Sequence, residues 1–170
     1  EAFRCLMLRL CDLLSAHADW DVTIKAHPCE DYYPFYDRLA AGLHRRNLQW
    51  TRDRWNSLKT FSKYSVAVLP GVVSGAVFNL QSQGVPIVFI TSPLSRLERD
   101  LYRYDYEGCG AVVDSAEDAV VAVQRLLSEP DYRKQIREKG RLFLEGYAAS
   151  CDGIGKFASV LRDLAGIARE

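Results

Sequence analysis

The stretch SKYSVAVLPGVVSGAVFNLQSQGVPIVFI, Ser62 to Ile90, reads strand, tight turn, helix, Gly-x-Pro, strand, and this order decides the fold class. Ser65 to Leu69 is a short apolar run with two valines, closed by Pro70 and Gly71, as suits a buried parallel strand. Gly71 lets the chain turn sharply and lets backbone come close to a ligand. Ser74 stands where a helix over Gly75 to Gln83 should start and fits an N-cap. Gly84 ends that helix, and Pro86 leads into IVFI, a second buried strand. A helix N-terminus after a parallel strand offers free N–H groups and partial positive charge, a favourable place for a phosphate. In open α/β sheets ligands bind at the carboxyl ends of the strands.

Working outward, the same alternation continues. Phe3 to Ala16 carries a helical stripe of Phe3, Leu6, Met7, Leu10, Leu13 and Leu14. Asp21 to Lys25 reads as a strand in the same sheet as Ser65–Leu69, closed by His27-Pro28. Asp31 to Arg46 reads as a helix with Pro34 in its first turn, Leu48 to Thr51 as a strand, and Trp55 to Lys63 as a short helix. Thr91 to Asp105 reads mostly as loop, and Ala111 to Val113 as a strand. Ser115 opens a helix to about Leu127, Pro130 one to about Glu145, and Asp152 or Gly153 a last one ending near Ala168. The expectation is α/β: a single Rossmann-like domain over residues 1–170, a parallel sheet with helices on both faces, and extra C-terminal helices.

Composition sets the bounds. The 170 residues suffice for one substantial core, and 48% apolar content excludes a disordered chain. Lys and Arg total 22 against 22 Asp and Glu, which gives no argument for nucleic acid. The five cysteines are odd in number, irregularly spaced and without a C-x-x-C pair, which disfavours disulfides or zinc and fits thiols in a reducing compartment. No apolar run approaches the ~20 residues that span a bilayer. The chain starts Glu-Ala-Phe-Arg, without an initiator Met, which suggests a piece of something larger.

The candidate site residues follow from position. His27 comes directly after a strand, at the carboxyl edge, where it could donate to a phosphate or protonate a leaving one; a bond to a loop carbonyl is the plainer alternative. Lys25 precedes it at the same strand end. Gly71, Ser74 and Gly75 could hold a phosphate through amides and a hydroxyl, or simply turn and cap the chain. Asn79, a poor helix former in an apolar helix, could touch a ligand or a loop carbonyl. Glu107, in the cluster Tyr102, Tyr104, Asp105, Tyr106 and Glu107, could bond a ribose or sugar hydroxyl, or sit in a solvated loop. His17 and His44 read as surface residues. The glycines do not form G-x-G-x-x-G, and no Walker pattern, DxD pair or Ser-His-Asp arrangement is present.

KAHP, then SGAVFN, the Gly-x-Pro strand, RYDYEGCG and DGIGKF, in this order and spacing from about Val22 to Leu161, resemble the C-terminal half of GT-B transferases. The likeness is nearest to the CDP-glycerol glycerophosphotransferase and capsular polysaccharide transferase group. It implies that His27 contacts the donor diphosphate and is catalytic, and that Ser74 binds it by hydroxyl and amide. Gly75 replaces a second Ser and offers only its amide, Asn79 stands at an Asp position, and Gly71-Val72-Val73 replaces Thr-Asp-Tyr. The implied enzyme moves a sugar or glycerol phosphate from a nucleotide-activated donor to a surface polysaccharide or polyol-phosphate polymer. It needs no metal and no cofactor beyond the donor substrate. The implied partner is an N-terminal acceptor half, and the implied location is the cytoplasm, with peripheral association of the whole enzyme at the inner face of the membrane. A nucleotide-sugar glycosyltransferase, a non-hydrolysing UDP-sugar 2-epimerase-like domain and a catalytically lapsed binding domain of the same fold stay open as alternatives.

Overall fold

The computed structural model describes residues 2–26, 33–52, 61–70, 75–91 and 106–150. Its strands are β1 (Val22–Lys25), β2 (Leu48–Thr51), β3 (Ala67–Pro70), β4 (Ile87–Ile90) and β5 (Ala111–Val113). Its helices are α1 (Ala2–Ser15), α2 (Pro34–Leu43), α3 (Ala76–Ser82), α4 (Tyr106–Cys109), α5 (Ala116–Ser128) and α6 (Pro130–Ser150). The expected helix over Asp152–Ala168 lies outside the described residues, as do Trp55 to Thr60 of the helix expected over Trp55–Lys63 and Tyr102, Tyr104 and Asp105.

Every ladder is parallel, as expected of strands separated by helices. Among the described residues they form two sheets, β1 with β2 and the order β3-β4-β5, so Asp21–Lys25 and Ser65–Leu69, expected in one sheet, fall in different ones. Both groups pack on α1. Helix α1 packs Leu10 and Leu14 with Val88 and Ile90 of β4, and Met7 and Cys11 with Ile24 and Ala26 at the end of β1. Val22 of β1, Val66, and Val68 of β3 all pack against the core under α1 and α5. Phe3, on the expected stripe, is instead 44% exposed, because the first turn of α1 overhangs the core.

β4 is the middle strand, and all four of its residues are buried. β3 forms the edge of its ladder, and each of its residues is only half-buried. Alternation along β4 divides two cores. Val88 and Ile90 face α1 and α5, while Ile87 and Phe89 face Val77 and Leu80 of α3 together with Cys109 of α4.

Local chemistry explains the helix ends. Ser115 caps α5 by accepting from the Asp118 N–H at 3.0 Å. Gly84, at φ +67°, closes α3: its N–H donates to the Gln81 carbonyl and that of Val85 to Leu80, the Schellman pattern. α6 runs past the expected stop at Glu145. Arg141 pairs with Glu138 and Glu145 on its exposed face, and Phe143 stacks on Phe78 with ring centroids 5.9 Å apart. α6 also crosses from one face of the sheet to the other: Ile136 belongs to the core under α5, and Phe143 packs on the core under α3.

Candidate functional site

Within each ladder the parallel strands bring their carboxyl ends to one edge, and these ends define the candidate site. Lys25 ends β1 opposite Thr51, the last residue of β2, and Arg52 follows directly. Lys25 is half-buried, with Nζ 5.8 Å from the Phe61 ring centroid. The Arg52 guanidinium lies 4.8 Å from the Tyr33 ring centroid, and Tyr33 stacks on Trp50 at 5.9 Å. Trp50 in turn donates through Nε1 to Asp37 at 3.0 Å, which fixes this aromatic group beside the strand ends.

At the ends of β4 and β5, Thr91 and Asp114 form a polar pair. The Thr91 N–H donates to the Val113 carbonyl at 2.8 Å, and its hydroxyl makes a short hydrogen bond to the Asp114 carboxylate. The pair exists because Ile90 stands in register with Val113.

α1 packs its middle on the carboxyl end of β1 and its last turns near Val22, so it runs antiparallel to the strand and its first turns reach the same edge. There Arg4, Cys5 and Leu8 with Phe35 of α2 line an open depression of about 710 Å³, and the Arg4 guanidinium lies 5.8 Å from the Phe35 ring centroid. Cations from α1, β1 and the residue after β2 thus gather at the carboxyl end of the β1–β2 pair.

Of the residues singled out in the sequence, His27, Gly71 and Ser74 lie outside the described residues. Gly75 is the capping residue of α3, one position later than the expected Ser74 cap, with φ −57° and no side-chain cap bond. A methyl group there would meet nothing within 4 Å. Asn79 is half-buried inside α3, and its carbonyl accepts from the Ser82 hydroxyl at 2.9 Å and the Gln83 amide at 3.0 Å. Glu107 belongs to α4, which leads into the amino end of β5, so the topology sets its backbone at the end of β5 opposite Asp114. His17 lies just past α1, half-buried and stacked on Trp20 at 4.0 Å, and His44 is an exposed left-handed C-cap of α2.

The sequence reading missed Arg52, Thr91 and Asp114. Each directly follows a strand, and that position was the available signal. Cys11 is no nucleophile, since burial pushes its thiol up to about 12. Among the described residues no group of three or more His, Cys, Asp or Glu could hold a metal ion, and no helix is long and apolar enough to cross a membrane. No protein-family model matches the chain, and no curated protein matches it.

Proposed function

We propose that this chain is the donor-binding half of a GT-B type transferase. The whole enzyme would move a sugar or glycerol phosphate from a nucleotide-activated donor to a cell-surface polysaccharide or polyol-phosphate polymer. It would work in the cytoplasm, at the inner face of the membrane, and an acceptor half would complete it. The observation that carries the reading is the carboxyl edge itself. Lys25 and Arg52 supply positive charge at neighbouring strand ends. Thr91 and Asp114 supply hydroxyl and carboxylate groups at the carboxyl ends of β4 and β5, in the other ladder. A nucleoside diphosphate needs this combination: cations for the diphosphate, acceptors for the ribose hydroxyls. The order of KAHP, SGAVFN and RYDYEGCG supports the same class.

In this reading His27 and backbone amides near Gly75 offset the charge that develops on the leaving nucleotide phosphate. The residues do this without themselves forming a bond to the donor. The test is thermal melting of this chain with saturating CDP, UDP and GDP. At least one should raise the melting temperature by mass action, and Lys25→Ala should reduce the rise. In the complete enzyme His27→Ala should lower turnover about ten- to a thousandfold, the scale for loss of a charge-stabilising donor or acid. No shift with any of the three nucleotides would defeat the reading. A shift with turnover indifferent to His27 would leave a binding domain in which His27 has no chemical role.

A further inference from the structure

A second charged feature lies on the opposite side of the sheet. α3 ends where the chain enters the amino end of β4, and α5 ends where the chain enters α6. Between these ends is a groove of about 560 Å³, bounded by Gln81 and Ser82 on one side and by Arg133, Lys134, Arg137 and Arg141 on the other. The acidic residue in its lining is Glu138.

The four cations are not equivalent. Arg133 is spent on structure: its guanidinium donates to the Leu126 carbonyl at 2.5 Å and the Leu127 carbonyl at 2.8 Å, closing the last turn of α5. Arg141 is held by Glu138 and Glu145, and its hydrogen bond is the main cause of the lowered Glu138 carboxyl, with Lys134 a smaller one. Lys134 and Arg137, one turn apart on α6, have no ion pair or hydrogen bond among the described residues.

The floor is firm. Gln81 is only 7% exposed, and its Nε2 donates to the Cys109 carbonyl at 2.6 Å. That bond fixes the amide orientation, since the reverse would set two oxygens against each other. Its Oε1 is buried with no hydrogen-bond partner among the described residues. Gly140 lets α6 lie on this side chain; a Cβ there would come within 3.2 Å of Gln81 Cγ. A cationic groove lined by Gln81, whose buried Oε1 is an unsatisfied acceptor, suits a phosphate group that brings a hydroxyl or a protonated oxygen with it.

We propose that Lys134 and Arg137 bind a phosphate-type oxyanion in this groove, at a site separate from the carboxyl edge. The phosphate is either free or the head group of an anionic lipid. The inference does not rest on the donor-binding reading. Inorganic phosphate titrated into this chain should shift the amide resonances of residues 133–141. Lys134→Gln combined with Arg137→Gln removes two charge-assisted donors and should weaken that binding by about tenfold or more. These are exposed helix positions, and unchanged circular dichroism and melting would show that the variant is folded. Sedimentation with phosphatidylglycerol vesicles, compared with phosphatidylcholine vesicles, separates the sources. Vesicle binding that the variant loses and phosphate competes away identifies a head group. Phosphate binding without vesicle binding identifies a free phosphate. Shifts equal in the variant, or no binding of either probe, overturn the proposal. The nucleotide melting shift should be the same in this variant and in the parent chain, so the two sites fail or succeed separately.

Discussion

Gly110 lies so close to Phe89 that a side-chain carbon on it would stand 2.6 Å from Phe89 Cε2 and 2.7 Å from the Ile87 carbonyl oxygen. Phe89 is held between α3 and α4 in a filled core, so it cannot swing aside. Gly110→Ala should therefore destabilise the chain by about 1–3 kcal/mol, as overpacking does. Gly75→Ala, where the added methyl meets open space, should change stability by less than about 0.5 kcal/mol. Urea denaturation of the two variants beside the parent chain measures the contrast.

Gly84 and Gly42 form a second matched pair. Gly84 has φ +67°, and an L side chain in that conformation costs roughly 1–2 kcal/mol. Gly42 sits within α2, where an added methyl group would meet nothing within 4 Å, and Ala there should gain about 0.5–1 kcal/mol. Opposite signs for the same chemical change are the expected result in denaturant melts.

Asn47 ties the turn after α1 to the start of β2. Its amide donates to the His17 carbonyl at 2.9 Å and the Trp20 carbonyl at 2.8 Å. Asn47→Ala leaves two part-buried carbonyls without that donor and should cost about 1–3 kcal/mol. Asn47→Asp, an acceptor only when ionised, should not restore the loss. Equilibrium unfolding of both variants checks this.

Cys11 gives a pH dependence. Its thiol moves from the ordinary 9.0 to about 12, because burial disfavours the thiolate. Below about pH 9 both the folded and unfolded chains hold the proton, and the stability is present in full. Between about 9 and 12 the unfolded chain loses the proton while the folded chain keeps it, so stability falls as pH rises through this window. Stability measured from pH 8 to 10.5 should fall more steeply for the parent than for Cys11→Ala. In native buffer, exposed Cys5 should react with iodoacetamide long before Cys11 or Cys109.

The parts of the fold that were legible rest on short-range chemistry. Gly84, Pro86 and the run Ile87–Ile90 announced a helix end and a buried strand, and Ser115 announced α5. The two-group arrangement of strands was not legible, because lateral pairing depends on tertiary contacts made through α1. The Thr91–Asp114 pair was hidden for a related reason: its members are 23 residues apart and meet only through the β4–β5 register. On α3 the reading marked Asn79 as the odd polar residue, yet the buried one is Gln81. Gln81 shares the inward face with Val77 and Leu80, and only the helix phase fixes which polar residue turns inward.

The path of α6 has a consequence for how the chain comes apart. One helix contributes Ile136 to the core beneath α5 and Phe143 to the core beneath α3. Neither core can open without loosening the same helix, so damage on one face is transmitted to the other. The two faces should thus melt in a single cooperative transition, and a cut ahead of Pro130 would turn that one transition into two.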